Sequence, residues 1–218
     1  MRRLAVNTFI SIDGVMQAPG APREDESGGF THGGWSVNYW DDVMGQAIAV
    51  GTRPYELLLG RGTYEIFAAH WPHVTDDPIA DELNNFPKHV ASTTLEQVEW
   101  NNSTLITGDV AEYVTALKSQ DGPEIQVHGS WGLIQTLLEH DLIDEFRLWT
   151  FPLLIGAGKR LFGNGTIPAG LKLVDSKLST TGVTINTYER AGDINRGSFE
   201  FDEPTEAELE RRQRLAAG

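Results

Sequence analysis

One arrangement recurs along this chain and narrows the folds open to it. A short apolar run stops at glycines or hydroxyl residues, and helically spaced apolar residues follow at once. Leu57-Leu58-Leu59 meets Gly60-Arg61-Gly62-Thr63 ahead of a helix over 63–69. Ile125-Gln126-Val127-His128 meets Gly129-Ser130-Trp131-Gly132 ahead of a helix over 133–139. Runs this short, bounded by glycine, read as strands rather than as buried helices. Further strands are expected over 4–12, 89–92, 104–107 and 146–155. Asp109 predicts a helix through Leu117, because an aspartate just ahead of a periodic run accepts orphan amide hydrogens. Val37, Trp40, Val43, Met44, Ala47 and Ile48 recur at helical spacing, so a single helix is expected to carry them. Residues 171–178 and 183–189 flank Thr181-Gly182 as the arms of a hairpin would. Strands alternating with helices predict an α/β fold in three layers. A mostly parallel central sheet has helices on both faces and a C-terminal antiparallel hairpin.

In such sheets ligands sit beyond the carboxyl ends of the strands, which gathers the loops after Leu59, Ser92 and His128. Each loop has a structural and a chemical reading. Gly60-Arg61-Gly62-Thr63 is either a turn with a threonine cap or a phosphate site, where glycines admit the ligand and arginine supplies a charged fork. Ser92, Thr93 and Thr94 form a plain strand exit or, beside Arg61, a seat for a second phosphate; an NADH site would instead want an acid on the ribose. Gly129 and Gly132 could admit a pyrophosphate to a helix start. The same HGSWG differs from the G-x-S-x-G nucleophile elbow only at its first position. No histidine follows Asp141 or Asp144, so a hydrolase using Ser130 is the minor alternative. Residues 155–161, IGAGKRL, lack the third glycine of a dinucleotide fingerprint and the hydroxyl of a P-loop, and read as a basic turn. His70 and His73 have Pro72 between them, which breaks a helical ligand spacing, and no metal is assigned. Asp13-Gly14 is a turn or a reach toward substrate. Trp35 and Trp40 either pack the core or stack on a heterocycle. Asp41 and Asp42 either offset a helix dipole or polarise a heterocycle nitrogen.

The formal net charge of −14 argues against nucleic acid and anionic membrane surfaces as partners. An anionic ligand then needs a local cationic site. With no cysteine, disulfides, thiolate zinc sites and cysteine nucleophiles are excluded. At 218 residues and 40% hydrophobic, the chain can build one domain with a sizeable core. That domain is expected over 1–192, followed by an acidic, partly helical C-terminal tail over 193–218 that is solvated or laid on a partner subunit. The first residues lack the features of a signal peptide, and no stretch approaches the ~20 apolar residues of a membrane span. A soluble cytoplasmic protein is expected.

In this order, ISIDGVMQ, LLLGRGTYE, KHVASTT, IQVHGSWGLIQTLLEHDLIDEFRLWTFPLLIGAGKRLF and the closing strand pair resemble the dihydrofolate reductase-like superfamily. The nearer resemblance is to the reductase half of riboflavin-biosynthesis deaminase–reductases, the RibD C-terminal domain, and its stand-alone relatives. The resemblance runs over residues 2–190 and implies NADPH bound across the sheet's carboxyl edge. By that resemblance Gly60, Arg61 and Thr63 hold phosphate, and Thr93 and Thr94 lie near the 2′-phosphate. Gly129, Ser130, Trp131, Gly132 and Leu133 meet the pyrophosphate, and Asp13 and Gly14 belong to a mobile loop beside the nicotinamide. It further implies hydride transfer to a C=N or C=O carbon of a small, pterin- or riboflavin-precursor-like substrate, with Asp13, Asp41 or water supplying the proton, and a homodimer. A non-catalytic dinucleotide-binding protein of the same fold is the alternative. The sequence departs from the family where consecutive glycines become Gly129-Ser130-Trp131-Gly132, and the deaminase zinc motif is missing.

Overall fold

The computed structural model describes residues 1–49, 54–163 and 165–217. Strands β1 (Leu4–Ser11), β2 (Tyr55–Gly60), β3 (Lys88–Ala91), β4 (Ser103–Ile106), β5 (Glu124–His128), β6 (Glu145–Phe151), β7 (Leu171–Leu178) and β8 (Thr184–Arg190) form one sheet. Their spatial order is β4-β3-β2-β5-β1-β6-β8-β7. The first six run parallel; β8 is antiparallel to β6, and β7 to β8. The expected mostly parallel sheet with a closing hairpin is what forms. Because β2, β3 and β5 are neighbours in register, the loops that follow them open side by side.

Side-chain alternation explains the three layers. Leu58 faces one side of the sheet, with Leu4, Val6, Ile125 and Val127, beneath α4 (Val110–Ser119) and α5 (Trp131–Glu139). Leu57 and Leu59 face the other side, beneath α2 (Arg61–His70) and α3 (Pro78–Asn85). On that second side α1 (Asp42–Ala49) lays Met44 on Trp149, Phe151 and Ile185, over β6 and β8. Between these two groups of helices, Asn7, Gln126 and His128 floor an open cleft.

Two expected boundaries are wrong, each for a local reason. The helix expected through Val37 and Ile48 is broken. A 3-10 turn covers Val37–Tyr39, Trp40 is extended (ψ 134°), and α1 begins only at Asp42. Asp41 accepts the Met44 amide at 2.9 Å, and this cap starts the helix afresh. Trp40 swings onto Phe9 and Trp149, with each pair of ring centroids 6.0 Å apart. The strand expected over 146–155 stops at Phe151, because Pro152 has no amide to give the ladder. The tail carries α6 (Glu206–Ala216), capped by Thr205. Among the described residues no helix is long and apolar enough to cross a membrane.

Lys88 is fully buried at the start of β3. Its ammonium donates to the carbonyls of Asn84, Phe86 and Asn101 at 3.3, 2.8 and 2.9 Å, and lies 4.3 Å from the Trp100 ring centroid. Burial pushes its pKa down to about 8. It closes the C-terminal end of α3 and ties that end to the sheet.

Candidate active site

Helices α2 and α5 start at the carboxyl ends of the neighbouring strands β2 and β5. Neither helix has a side chain capping its first amides: Gly60 and Ser130 occupy the N-cap positions. Those amide hydrogens and the positive ends of two helix dipoles converge on one opening, a ready site for an anion. Thr63 is the third residue of α2 and not its cap, which corrects the structural reading of GRGT.

The turn after β5 is built to keep this opening clear. Gly129 and Ser130 are both left-handed, at φ 64° and 65°. For serine that conformation costs roughly 1–2 kcal/mol. The hydroxyl offsets part of the cost by accepting the Gly60 amide at 2.9 Å, which couples the two turns. A Cβ on Gly129 would lie 3.7 Å from Thr63 Oγ1, whereas one on Gly132 or Gly62 would meet nothing within 4 Å. Ser130 is thus engaged by backbone, and His128 Nε2 is 2.8 Å from Gln126 Oε1; the two do not form the pair a hydrolase would need.

Arg61 is held in place before any ligand arrives. Its Nη1 donates to Thr94 Oγ1 at 2.6 Å, and its Nε to Glu65 Oε1 at 3.0 Å. Ser92 Oγ accepts the amides of Thr94 and Leu95 at 3.1 and 3.0 Å, which fixes the hydroxyl-rich turn beside the guanidinium. Gly60, Arg61, Thr63, Thr93 and Thr94 line the same cleft of about 2170 Å³ as Gly129, Ser130, Trp131, Gly132 and Leu133. Trp131 is 38% exposed and donates its indole N–H to the Arg160 carbonyl at 2.9 Å. It therefore sits at the edge of the cleft.

The two carboxylates expected to donate a proton have other occupations. Asp13 accepts from Ser11 Oγ at 2.6 Å, from the Ile155 amide at 3.1 Å and from the Gly156 amide at 2.8 Å. Arg160 donates to its main-chain carbonyl and lies 3.4 Å from Oδ2. The Ser11 hydroxyl, followed by those amides, holds Asp13 at about 2, so it carries no proton to give near neutrality. Asp41 caps α1 and also takes the amide and hydroxyl of Thr180, at 2.6 and 2.7 Å. The Met44 amide, then Thr180, lower its pKa as well. Neither Asp13, Gly14, Asp41 nor Trp35 lines the cleft. Trp35 donates to the Gln17 carbonyl at 2.8 Å and packs edge-on against Phe151, whereas Trp40 does line the cleft. Asp77, close in sequence to His70 and His73, caps α3.

Sequence reasoning overlooked the floor. Glu124, Gln126 and His128 share one face of β5, and Arg147 of β6 forms a two-pronged pair with Glu124 at 2.8 and 2.7 Å. Burial, then Arg147, push His128 down to about 4, so its imidazole is neutral. The signal was present. A parallel strand covered on both faces reads as continuously apolar, and the polar residue at every second position of β5 marks a face left open to a cleft. The basic turn at 155–161 also pins the loop that follows β1. Lys159 pairs with Asp25 at 2.6 Å, its amide donates to Gln17 Oε1 at 3.1 Å, and the Leu161 amide donates to the Gly14 carbonyl at 3.0 Å.

Comparison with known proteins fits this geometry. The model of the RibD C-terminal domain matches residues 2–185. The chain belongs to that family. Uncharacterized protein YyaP of Bacillus subtilis (strain 168) is 26% identical over 199 residues, covering 88% of this chain and 96% of the relative. A putative riboflavin biosynthesis protein from Shewanella sp. PV-4 superposes with a TM-score of 0.65 at 24% identity, covering 88% of this chain and 99% of that one. Dihydrofolate reductase from Enterococcus faecalis, solved with NADP(H), superposes with a TM-score of 0.55 at 15% identity, covering 86% and 96%. At these identities the two structures establish the fold, a dihydrofolate reductase-like sheet within a RibD C-terminal domain. Family and fold together support chemistry of the reductase type.

Proposed function

We propose that this protein is an NADPH-dependent reductase acting on a C=N or C=O group of a small heterocyclic substrate. The observation that carries this reading is the pair of uncapped helix starts, α2 and α5, opening beside a guanidinium already held against Thr94. The amides of those helices suit a pyrophosphate, and Arg61 with Thr93 and Thr94 suits the 2′-phosphate that distinguishes NADPH from NADH. NADPH bound there would supply the hydride, and the chain supplies position and a shielded floor.

The substrate's place in this reading is the cleft floor beyond the dinucleotide cradle. Phe9, Trp40 and Trp149 give it aromatic walls, and Asn7, Gln126 and the neutral imidazole of His128 give it hydrogen-bonding groups. That mixture suits a flat heterocycle with polar edges. Since Asp13 and Asp41 are held ionised, the proton in this reading comes from water. Calorimetry with NADPH and NADH, followed by loss of reduced-nicotinamide absorbance with a panel of pterins, flavin precursors and aromatic carbonyls, tests it. Heat with NADPH but no turnover against any acceptor would favour the non-catalytic dinucleotide-binding alternative. No heat with either dinucleotide overturns the reading.

A further inference from the structure

The polar floor of the cleft is a hydrogen-bonded chain, and the chain has a direction. Arg147 donates twice to Glu124, at 2.8 and 2.7 Å, and through its Nε to Glu145 at 2.5 Å. A carboxylate in such a pair offers acceptors only. The buried Gln126 side chain reaches Glu124 Oε1 at 2.8 Å, so its NH2 group has to be the end that faces Glu124. Its oxygen is then left facing His128 Nε2, 2.8 Å away. Nε2 therefore carries the ring hydrogen and Nδ1 carries the lone pair. The charge at one end of the chain sets the tautomer at the other.

His128 Nδ1 is the free end. It has no hydrogen-bond partner among the described residues, and it is not sealed in. The buried side-chain nitrogens and oxygens left unpartnered among those residues are Arg2 Nη2 and Ser103 Oγ, and Nδ1 is not one of them. Since His128 lines the cleft, Nδ1 opens into it. The Tyr55 ring stacks on the imidazole, 17° from parallel with centroids 6.0 Å apart, and helps to fix its plane. With its pKa pushed down to about 4, the imidazole is neutral near pH 7 and Nδ1 stays an acceptor.

We propose that Arg147, Glu124 and Gln126 are positioning residues that hold His128 as its Nε2–H tautomer, and that His128 Nδ1 selects substrates presenting an N–H or O–H donor to the cleft floor. The selection rests on the reductase reading and adds to it which edge of the heterocycle is read. A lactam N–H or a ring amino group satisfies Nδ1. An edge of carbonyl oxygens or aza nitrogens sets lone pair against lone pair and is rejected. Phe9, Trp40 and Trp149 stack on any flat ring, so the aromatic walls cannot make this distinction.

The tautomer is read directly, with no ligand, from long-range proton–nitrogen NMR spectra of the full chain near pH 7. His128 is expected to be protonated on Nε2. Gln126→Leu cuts the chain and is expected to give a mixture of both tautomers. Lumazine, which has two ring N–H donors, and 1,3-dimethyllumazine, which has none, then probe the selection by titration. Lumazine is expected to shift the Nδ1 resonance and to bind at least ~10-fold more tightly. His128→Phe keeps a ring against Tyr55 and removes the acceptor, so the preference should fall to near parity there if it comes from Nδ1 and not from the bulk of the methyl groups. Wild-type His128 protonated on Nδ1, or present as an even mixture, overturns the proposal. So do equal binding of the two probes, binding of neither, or a preference that survives His128→Phe. Because the tautomer and the probes are read without dinucleotide, these failures are separate from a calorimetric failure to bind NADPH, which would sink the reductase reading.

Discussion

Six α-helices start in this molecule's described residues, and they start in two ways. Asp41, Asp77, Asp109 and Thr205 each place a side-chain oxygen on the first amides of α1, α3, α4 and α6. At α2 and α5 those amides have no side-chain cap, and these two helices follow adjacent parallel strands into one cleft. Capping contributes about 1 kcal/mol per helix, so omitting it twice costs stability. Selection for stability alone would have closed these ends as it closed the other four. The difference supports the proposed reading, in which the amides of α2 and α5 serve an anionic ligand.

The strongest way to break this contrast is to close one of the open ends. Gly132→Asp puts a carboxylate into the first turn of α5, where a Cβ meets nothing within 4 Å. The acid should stabilise the helix by about 0.3–1 kcal/mol through its dipole, and removal of a helical glycine adds to that. NADPH should bind at least ~100-fold more weakly, because like charges brought together cost several kcal/mol. Denaturation and calorimetry on the same sample would read opposite signs. A variant that loses stability and keeps affinity refutes the assignment of that end.

Arg61→Ala sharpens the contrast from the cationic side. In the proposed reading the guanidinium would contribute a charged hydrogen bond worth about 1–3 kcal/mol, so NADPH should lose roughly 10- to 100-fold in affinity and NADH much less. Equal losses would move Arg61 away from the 2′-phosphate.

Helix α3 is the opposite extreme, closed at both ends, by Asp77 in front and Lys88 behind. Lys88→Met would leave buried carbonyls without donors and should cost about 2 kcal/mol in chemical denaturation, with no change in NADPH affinity. The pH dependence has a definite sign. The folded pKa of about 8 lies below the ordinary 10.5, so between these values the unfolded chain holds a proton that the folded chain has lost. Stability therefore gains a rising contribution with pH across that window, and Lys88→Met should remove it.

The legibility of these features in the sequence follows from how local each one is. The strand–turn–helix repeats fixed the parallel sheet and brought Arg61, Thr94 and Gly129 together, because adjacency in such a sheet follows from its topology. Asp109 was readable as a cap from its neighbours alone. The cap of Asp41 on Met44 is just as local, but the ties that hold Asp13 and Asp41 away from the cleft were not readable, because Gly156, Arg160 and Thr180 lie more than a hundred residues away. Helical spacing through Trp40 was real but gave way to the Asp41 cap and the aromatic contact with Phe9. The left-handed Ser130 was equally hidden, since its support comes from the Gly60 amide across the sheet.

The smallest expected effect is the control on which the comparison turns. Asp109 caps α4 by accepting the Glu112 amide at 2.8 Å, just past β4, the edge strand next to β3. Asp109→Ala should cost about 1 kcal/mol in chemical denaturation and leave NADPH affinity within error. That outcome would distinguish an end whose carboxylate only satisfies its own helix from ends left for a ligand. If opening the α4 start instead raised NADPH affinity, anion binding would be a general property of uncapped helices here. The pairing of α2 with α5 would then lose its meaning, since what it claims is that two particular amide clusters, spaced by neighbouring strands and braced by Arg61, act together.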